Sequence, residues 1–234
     1  MACSFYKCGV TGALALGMAA ALAVSAGMAN GQNGGDQQVQ EQQERFTLDT
    51  VLTRDLTYAS GSSERDDKAW EKIQSQLGKP APKFSVGEWK SLNSEMKGGS
   101  IESMRGEIVV IDFWGTWCPP CRAAMPHNTE MAEKYADKQV RVVGICNTNK
   151  SESMMETAEK HNGHFAMAAD QDDKTKEAYG VQWWPYYVVV DRDGIVRAAG
   201  VKSDNISKIV DRLLVLQPPK DKDETEMAPR RRSR

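Results

Sequence analysis

The most constraining feature of this chain is a short β-branched run, Ile108–Phe113 (IVVIDF), followed closely by Cys118-Pro119-Pro120-Cys121. The run reads as a buried strand, and the cysteines open a segment of helical composition reaching about Tyr135, with Pro126 as an internal kink or break. Two cysteines separated by two residues on the first turn of a helix can close a small disulfide ring. Cys118 would then sit at the end where the helix dipole favours an anion. The thiolate is the nucleophile of disulfide exchange, so this placement makes Cys118 reactive and Cys121 its resolving partner. Three other uses of the pair stand beside this one. A zinc site would have to recruit Cys146, His127, His161 or His164, and the gap from Cys121 to His161 does not match a short finger spacing. Haem attachment needs His directly after the second cysteine, where this chain has Arg122. A purely structural disulfide would close so short a loop that it contributes little cross-link entropy.

The rest of the chain alternates in type. A helix is expected from about Ser63 to Leu77, capped by Ser63, with Trp70, Ile73 and Leu77 on one face and Gly78 and Pro80 ending it. Val140–Cys146 reads as a second strand, Ser151–His161 as a helix, Phe165–Ala168 as a short strand and Lys174–Tyr179 as a short helix. Tyr186–Asp191 and Gly194–Ala199 flank an Asp193-Gly194 hairpin signal, and Ile206–Leu216 is an amphipathic last helix. The order β-α-β-α-β-α-β-β-α makes the fold class α/β, with a parallel start and an antiparallel finish.

Phe113-Trp114-Gly115-Thr116-Trp117-Cys118-Pro119-Pro120-Cys121-Arg122 resembles the active-site signature of the thioredoxin superfamily. The C-P-P-C-R form is most similar to TlpA/ResA-like extracytoplasmic thiol-disulfide oxidoreductases. The flanks agree: Gly78-Lys79-Pro80-Ala81-Pro82-Lys83-Phe84 comes before, and Tyr179-Gly180-Val181 leads to Pro185 and the hairpin after. The resemblance covers about residues 78–216. It implies a thioredoxin-like fold, a central mixed β-sheet flanked by helices, here with an N-terminal extension. It also implies that Cys118 attacks, Cys121 resolves, Trp117 is the aromatic residue beside the site, and Pro185 is the cis-proline facing the disulfide. Asp112 falls where thioredoxins carry a buried acid, a position often Asn in the TlpA-like group. Burial among β-branched residues disfavours its charged form, so it can relay a proton to or from Cys121; the plainer reading is a strand-end Asp that caps or is solvated. Trp184 stands before the proline where relatives usually place a smaller residue, and would narrow the substrate groove or give it a stacking surface. The implied partners are protein thiols and disulfides and, by resemblance, a membrane electron donor. No cofactor and no metal are implied, and the expected state is a monomer.

The ends of the chain supply an address. Residues 1–29 carry Lys7, an apolar run from Val10 to Ala26 and small residues at Val24-Ser25-Ala26 and Gly27-Met28-Ala29, the pattern of a secretory signal peptide or, uncleaved, of an anchor. Cys3 and Cys8 leave with a cleaved signal, so Cys118, Cys121 and Cys146 remain, in an oxidising, periplasmic or otherwise extracytoplasmic compartment. Residues 30–45 read as a flexible linker, 46–77 as a small helical prelude, 78–217 as the thioredoxin-like domain and 218–234 as a disordered charged tail. Lys+Arg number 30 against 32 Asp+Glu, so the net charge of −2 leaves no basic footprint for nucleic acid.

Neither Pro119 nor Pro120 can donate a backbone N–H to the Cys118 sulfur. Fewer donors mean a less stabilised thiolate and a more reducing couple, so a reductant is expected. Two rivals remain. A thiol peroxidase of the peroxiredoxin group needs Thr or Ser three residues before its reactive cysteine, where this chain has Gly115. A binding or chaperone module would use a Trp183/Trp184 groove and be redox-active only incidentally. Cys146 reads as a buried strand-end thiol, with a regulatory or mixed-disulfide role as the alternative.

Overall fold

The computed structural model describes residues 54–93 and 98–219. The expected signal, linker and first part of the prelude lie outside those residues, as does the tail beyond Pro219. The elements are α1 (Glu64–Gln74), β1 (Ile108–Trp114), α2 (Pro119–Lys134), β2 (Val140–Cys146), α3 (Met154–Lys160), β3 (Ala166–Ala169), α4 (Lys174–Ala178), β4 (Tyr186–Val190), β5 (Val196–Val201) and α5 (Ile206–Leu216). The strands form one sheet in the order β3-β2-β1-β4-β5. β1 runs parallel to β2, with Trp114 opposite Cys146, and antiparallel to β4, with Asp112 opposite Tyr187. No helix among the described residues is long and apolar enough to cross a membrane. The mixed sheet and its flanking helices are the thioredoxin-like architecture that the signature implied.

β1 is central and buried at every position, which its unbroken apolar run requires. Alternate residues of a strand face opposite sides. Ile108, Val110 and Trp114 pack under α2, α3 and α5 with Met125, Met154 and Val210. Val109, Ile111 and Phe113 pack on the other side with Ile101, Met104, Tyr179 and Ile73. That second layer contains α1 but is otherwise mostly irregular chain. Residues 78–81 hydrogen-bond along β5, where Gly78 N–H donates to Val196 O at 2.9 Å and Ala81 N–H to Gly194 O at 2.9 Å. Further on, Lys90 bridges Met167 on β3. Residues 78–90 therefore run from one edge of the sheet to the other and bridge both edge strands.

Several boundaries differ from expectation for local reasons. α1 stops at Gln74 instead of Leu77, and the chain turns at Gly78, whose φ of 72° only glycine adopts without strain. Its buried residues are Ala69 and Ile73, while Trp70 and Leu77 are half-buried. α2 continues through Pro126, which is exposed, because the inward stripe Cys121, Met125 and Asn128 holds the helix across the missing N–H. The segment Ser151–His161 opens with a 3₁₀ turn over Ser151–Ser153 before α3 begins.

α1 begins with a reciprocal cap. Ser63 Oγ accepts from Asp66 N–H at 3.2 Å, and Asp66 Oδ2 accepts from Ser63 N–H at 3.2 Å. Ser63→Ala is expected to destabilise the protein by about 1 kcal/mol, read as a lower urea midpoint at unchanged slope. An unchanged midpoint would mean that this helix end frays without consequence.

Candidate active site

The site is built where β1 ends and α2 begins. Gly115 follows the strand, and its carbonyl accepts from Cys118 N–H at 3.0 Å, closing a tight turn. Arg122 Nη1 donates to Thr116 O at 2.7 Å, and Thr116 Oγ1 donates to Lys150 O at 3.2 Å, so the loop is pinned from both sides. Cys118 is the N-cap of α2, and Pro119 and Pro120 occupy the first turn, where a missing N–H breaks no helical bond. Cys118 and Cys121 are joined as a disulfide with a Cα–Cα separation of 5.3 Å. Cys121 N–H donates to Cys118 Sγ at 3.2 Å. This donor was not anticipated from the two prolines, which lack an N–H of their own; it comes from the resolving residue.

Both sulfurs are buried, and the exposed edge of the site is aromatic. Trp117 is 39% exposed and meets Trp184 edge-to-face with ring centroids 5.9 Å apart. The Trp184–Pro185 peptide bond is cis. A Cβ added at Gly115 would stand 2.9 Å from the Trp117 ring, so Ser or Thr at this position would displace that indole. Trp183 packs edge-on against Tyr58 and Tyr186, at 6.1 and 5.3 Å. Together with Trp184, Tyr58 and Arg65 it borders a cavity of about 540 Å³ between α1 and the proline loop. Sequence reasoning placed a groove at the two tryptophans but not its second wall, because Tyr58 and Arg65 lie more than a hundred residues away.

Asp112 lies on the face of β1 that also carries Trp114, in the layer containing Cys118 and Cys121, and is fully buried. Its Oδ2 accepts from Asn128 Nδ2 at 2.8 Å, while Oδ1 has no hydrogen-bond partner among the described residues. Burial pushes its carboxyl up to about 8, and the Asn128 hydrogen bond opposes this only in part. A solvated or capping Asp is not what the structure contains. Cys146, opposite Trp114 at the end of β2, is a free and buried thiol. Burial pushes it up to about 12, so it stays protonated at neutral pH and is a poor nucleophile. His127 and His161 are half-buried and His164 is exposed.

Comparison with known proteins agrees with this arrangement. Residues 76–214 match the Redoxin family, and the chain belongs to it. It is similar to the thiol-disulfide oxidoreductase ResA of Bacillus thuringiensis (strain Al Hakam), at 31% identity over 126 residues that span 54% of this chain and 70% of the relative. It is similar also to ResA of Geobacillus thermodenitrificans, at 27% identity over 157 residues, or 67% and 87% of the two chains. Among solved structures, a Chlorobium tepidum protein described as a thiol:disulfide interchange protein DsbE superposes with a TM-score of 0.52 and 26% identity, covering 59% of this chain and 97% of the other. The chain is a TlpA/ResA-like member of the thioredoxin superfamily and a thioredoxin-like oxidoreductase, and thiol-disulfide oxidoreduction is its chemistry.

Proposed function

We propose that this protein reduces disulfides in protein substrates outside the cytoplasm, working as a monomer re-reduced by a membrane-bound electron donor. The observation that carries the reading is the Cys118–Cys121 disulfide at the start of α2. In the reduced protein the Cys118 thiolate attacks a substrate disulfide, forming a mixed disulfide and releasing one substrate thiolate, which takes a proton from water. Cys121 then gives its proton to the Asp112 carboxylate and attacks Cys118 Sγ. The second substrate thiolate leaves, and the Cys118–Cys121 disulfide remains. Two electrons pass from the protein dithiol to the substrate. Trp117, Trp184 and Pro185 line the approach to Cys118.

The reducing direction follows from how little stabilises the thiolate. The two backbone nitrogens that follow Cys118 in the chain belong to Pro119 and Pro120 and carry no hydrogen, and Cys121 N–H at 3.2 Å supplies a donor from one turn further on. The signal-like pattern of residues 1–29 supports an extracytoplasmic site, where maturation of apocytochrome cysteines is one task for such a reductant. Both cysteines and the proton acceptor belong to one chain, so one copy suffices. Equilibration in dithiothreitol buffers, with thiols counted by alkylation and mass, tests the direction. The expected midpoint lies near or below about −270 mV, and a value above about −180 mV would make the protein an oxidase or isomerase instead.

The aromatic cavity beside Trp183 and Trp184 favours a second reading, in which polypeptides bind there whatever the redox state. Cys118→Ser separates the two: a binding module keeps its function and a reductase loses it.

A further inference from the structure

Beneath the disulfide lies a buried polar group of three that no part of the sequence reading used together. Asn128 stands seven residues after Cys121 on the same inward stripe of α2 and is fully buried. Tyr187 is the cross-strand partner of Asp112 on β4, so their side chains share one face of the sheet. Asn128 Nδ2 lies 2.8 Å from Asp112 Oδ2 and 3.2 Å from Tyr187 Oη, and Tyr187 Oη lies 3.3 Å from Asn128 Oδ1. A side-chain amide can turn either its NH₂ or its oxygen toward a neighbour. The Asn128 NH₂ donates to both Asp112 Oδ2 and Tyr187 Oη, and the Tyr187 hydroxyl donates back to Asn128 Oδ1, so the amide is anchored between acid and phenol. An amide turned the other way would present its oxygen to Asp112 and favour the protonated acid.

We propose that Asn128 and Tyr187 are positioning residues that set the proton affinity of Asp112, Asn128 by donating to its carboxylate and Tyr187 by anchoring that amide beside it. This rests on Asp112 being the proton acceptor of the exchange reaction. The arrangement leaves Asp112 Oδ1 as the oxygen on which the proton is carried. It also explains an amide in the middle of an apolar stripe: a hydrocarbon at position 128 would leave the carboxylate buried with no donor, and the acid would hold its proton too tightly to accept another near neutral pH.

The groups packed around Asp112 do not titrate with it. Cys118 and Cys121 are disulfide-bonded in the oxidised protein. Cys146 on β2 and Tyr187 on β4 are both pushed upward by burial, Cys146 to about 12. The contributors to the Asp112 shift are burial and Asn128, with no charged side chain among them. The test is therefore a carboxyl ¹³C NMR titration of Asp112 in the oxidised protein, where exchange chemistry plays no part. Asn128→Ala and Tyr187→Phe are both expected to raise the midpoint, by about one pH unit for the loss of a hydrogen bond to a charged group. At pH 7 each is then expected to slow resolution of a Cys118 mixed disulfide about tenfold, since about tenfold less Asp112 is ionised. Tyr187→Phe keeps the ring and its packing, so it carries the test if Asn128→Ala does not fold. A midpoint unchanged or lowered in the folded variants overturns the proposal. If both midpoints rise while Asp112→Asn resolves at the wild-type rate, the positioning stands and the role of Asp112 as proton acceptor falls.

Discussion

Cys121→Ser is expected to arrest exchange at the mixed disulfide, leaving the protein covalently attached to its substrate through Cys118. Cys118→Ser is expected to lower disulfide reduction by about 10³-fold or more, the scale on which enzymes lose activity with their nucleophile. The difference between the two follows from their placement. Cys118 is the N-cap of the helix and lies beside the exposed Trp117, whereas Cys121 is fully buried one turn inward and reaches the first sulfur only from within the protein. Non-reducing mass spectrometry after mixing with a disulfide-bonded protein checks this. The adduct should accumulate with Cys121→Ser and be absent with Cys118→Ser. Adducts on Cys146 would contradict the assignment, because its burial and raised thiol pKa remove it from reaction.

The second large effect is on stability. Asp112 ionises in the folded protein with a midpoint of about 8, whereas in an unfolded chain an aspartate titrates near 3.9. Between those values the folded state binds more protons than the unfolded state, so the Asp112 contribution to stability falls as pH rises. The full contribution is present below about pH 4 and is lost as pH rises through about 8. Asn at position 112 has no such dependence. The stability of Asp112→Asn relative to wild type is therefore expected to improve as pH rises across this window, by at most about 1.4 kcal/mol per pH unit. Urea unfolding of the two oxidised proteins from pH 4 to 8 measures it, and parallel curves would mean that Asp112 is not held protonated. The same variant should resolve mixed disulfides about 10²-fold more slowly or worse, the scale of a lost general base.

Much of this architecture is legible because the sheet and the redox pair are encoded locally. Ile108–Trp114, Val140–Cys146 and Tyr186–Val190 are runs of β-branched and aromatic residues buried on both faces, and such runs have few other solutions. Asp193-Gly194 marks the hairpin, with Gly194 at a φ of 73°. Residues 78–90 were opaque for the opposite reason. They have no period to read, because their backbone groups bond to the two edge strands one bridge at a time. The pair Cys118 and Cys121 is visible in four letters. The acid beneath it needed the resemblance, and Asn128 needed the structure. In retrospect its signal was a polar residue at the third position of the stripe Cys121, Met125, Asn128, where a core helix calls for an apolar side chain. Tyr187 carries no such mark, since a tyrosine in a strand is ordinary until its hydroxyl finds a partner.

The central claim is that the Cys118–Cys121 dithiol delivers its electrons to protein disulfides. Its most direct test is to mix the reduced protein with insulin and map thiols on both partners by alkylation and mass. The account predicts that each Cys118–Cys121 disulfide formed is matched by one new thiol pair on the substrate, with Cys146 still reduced. A substrate left oxidised, or an oxidation that falls on Cys146, would contradict it.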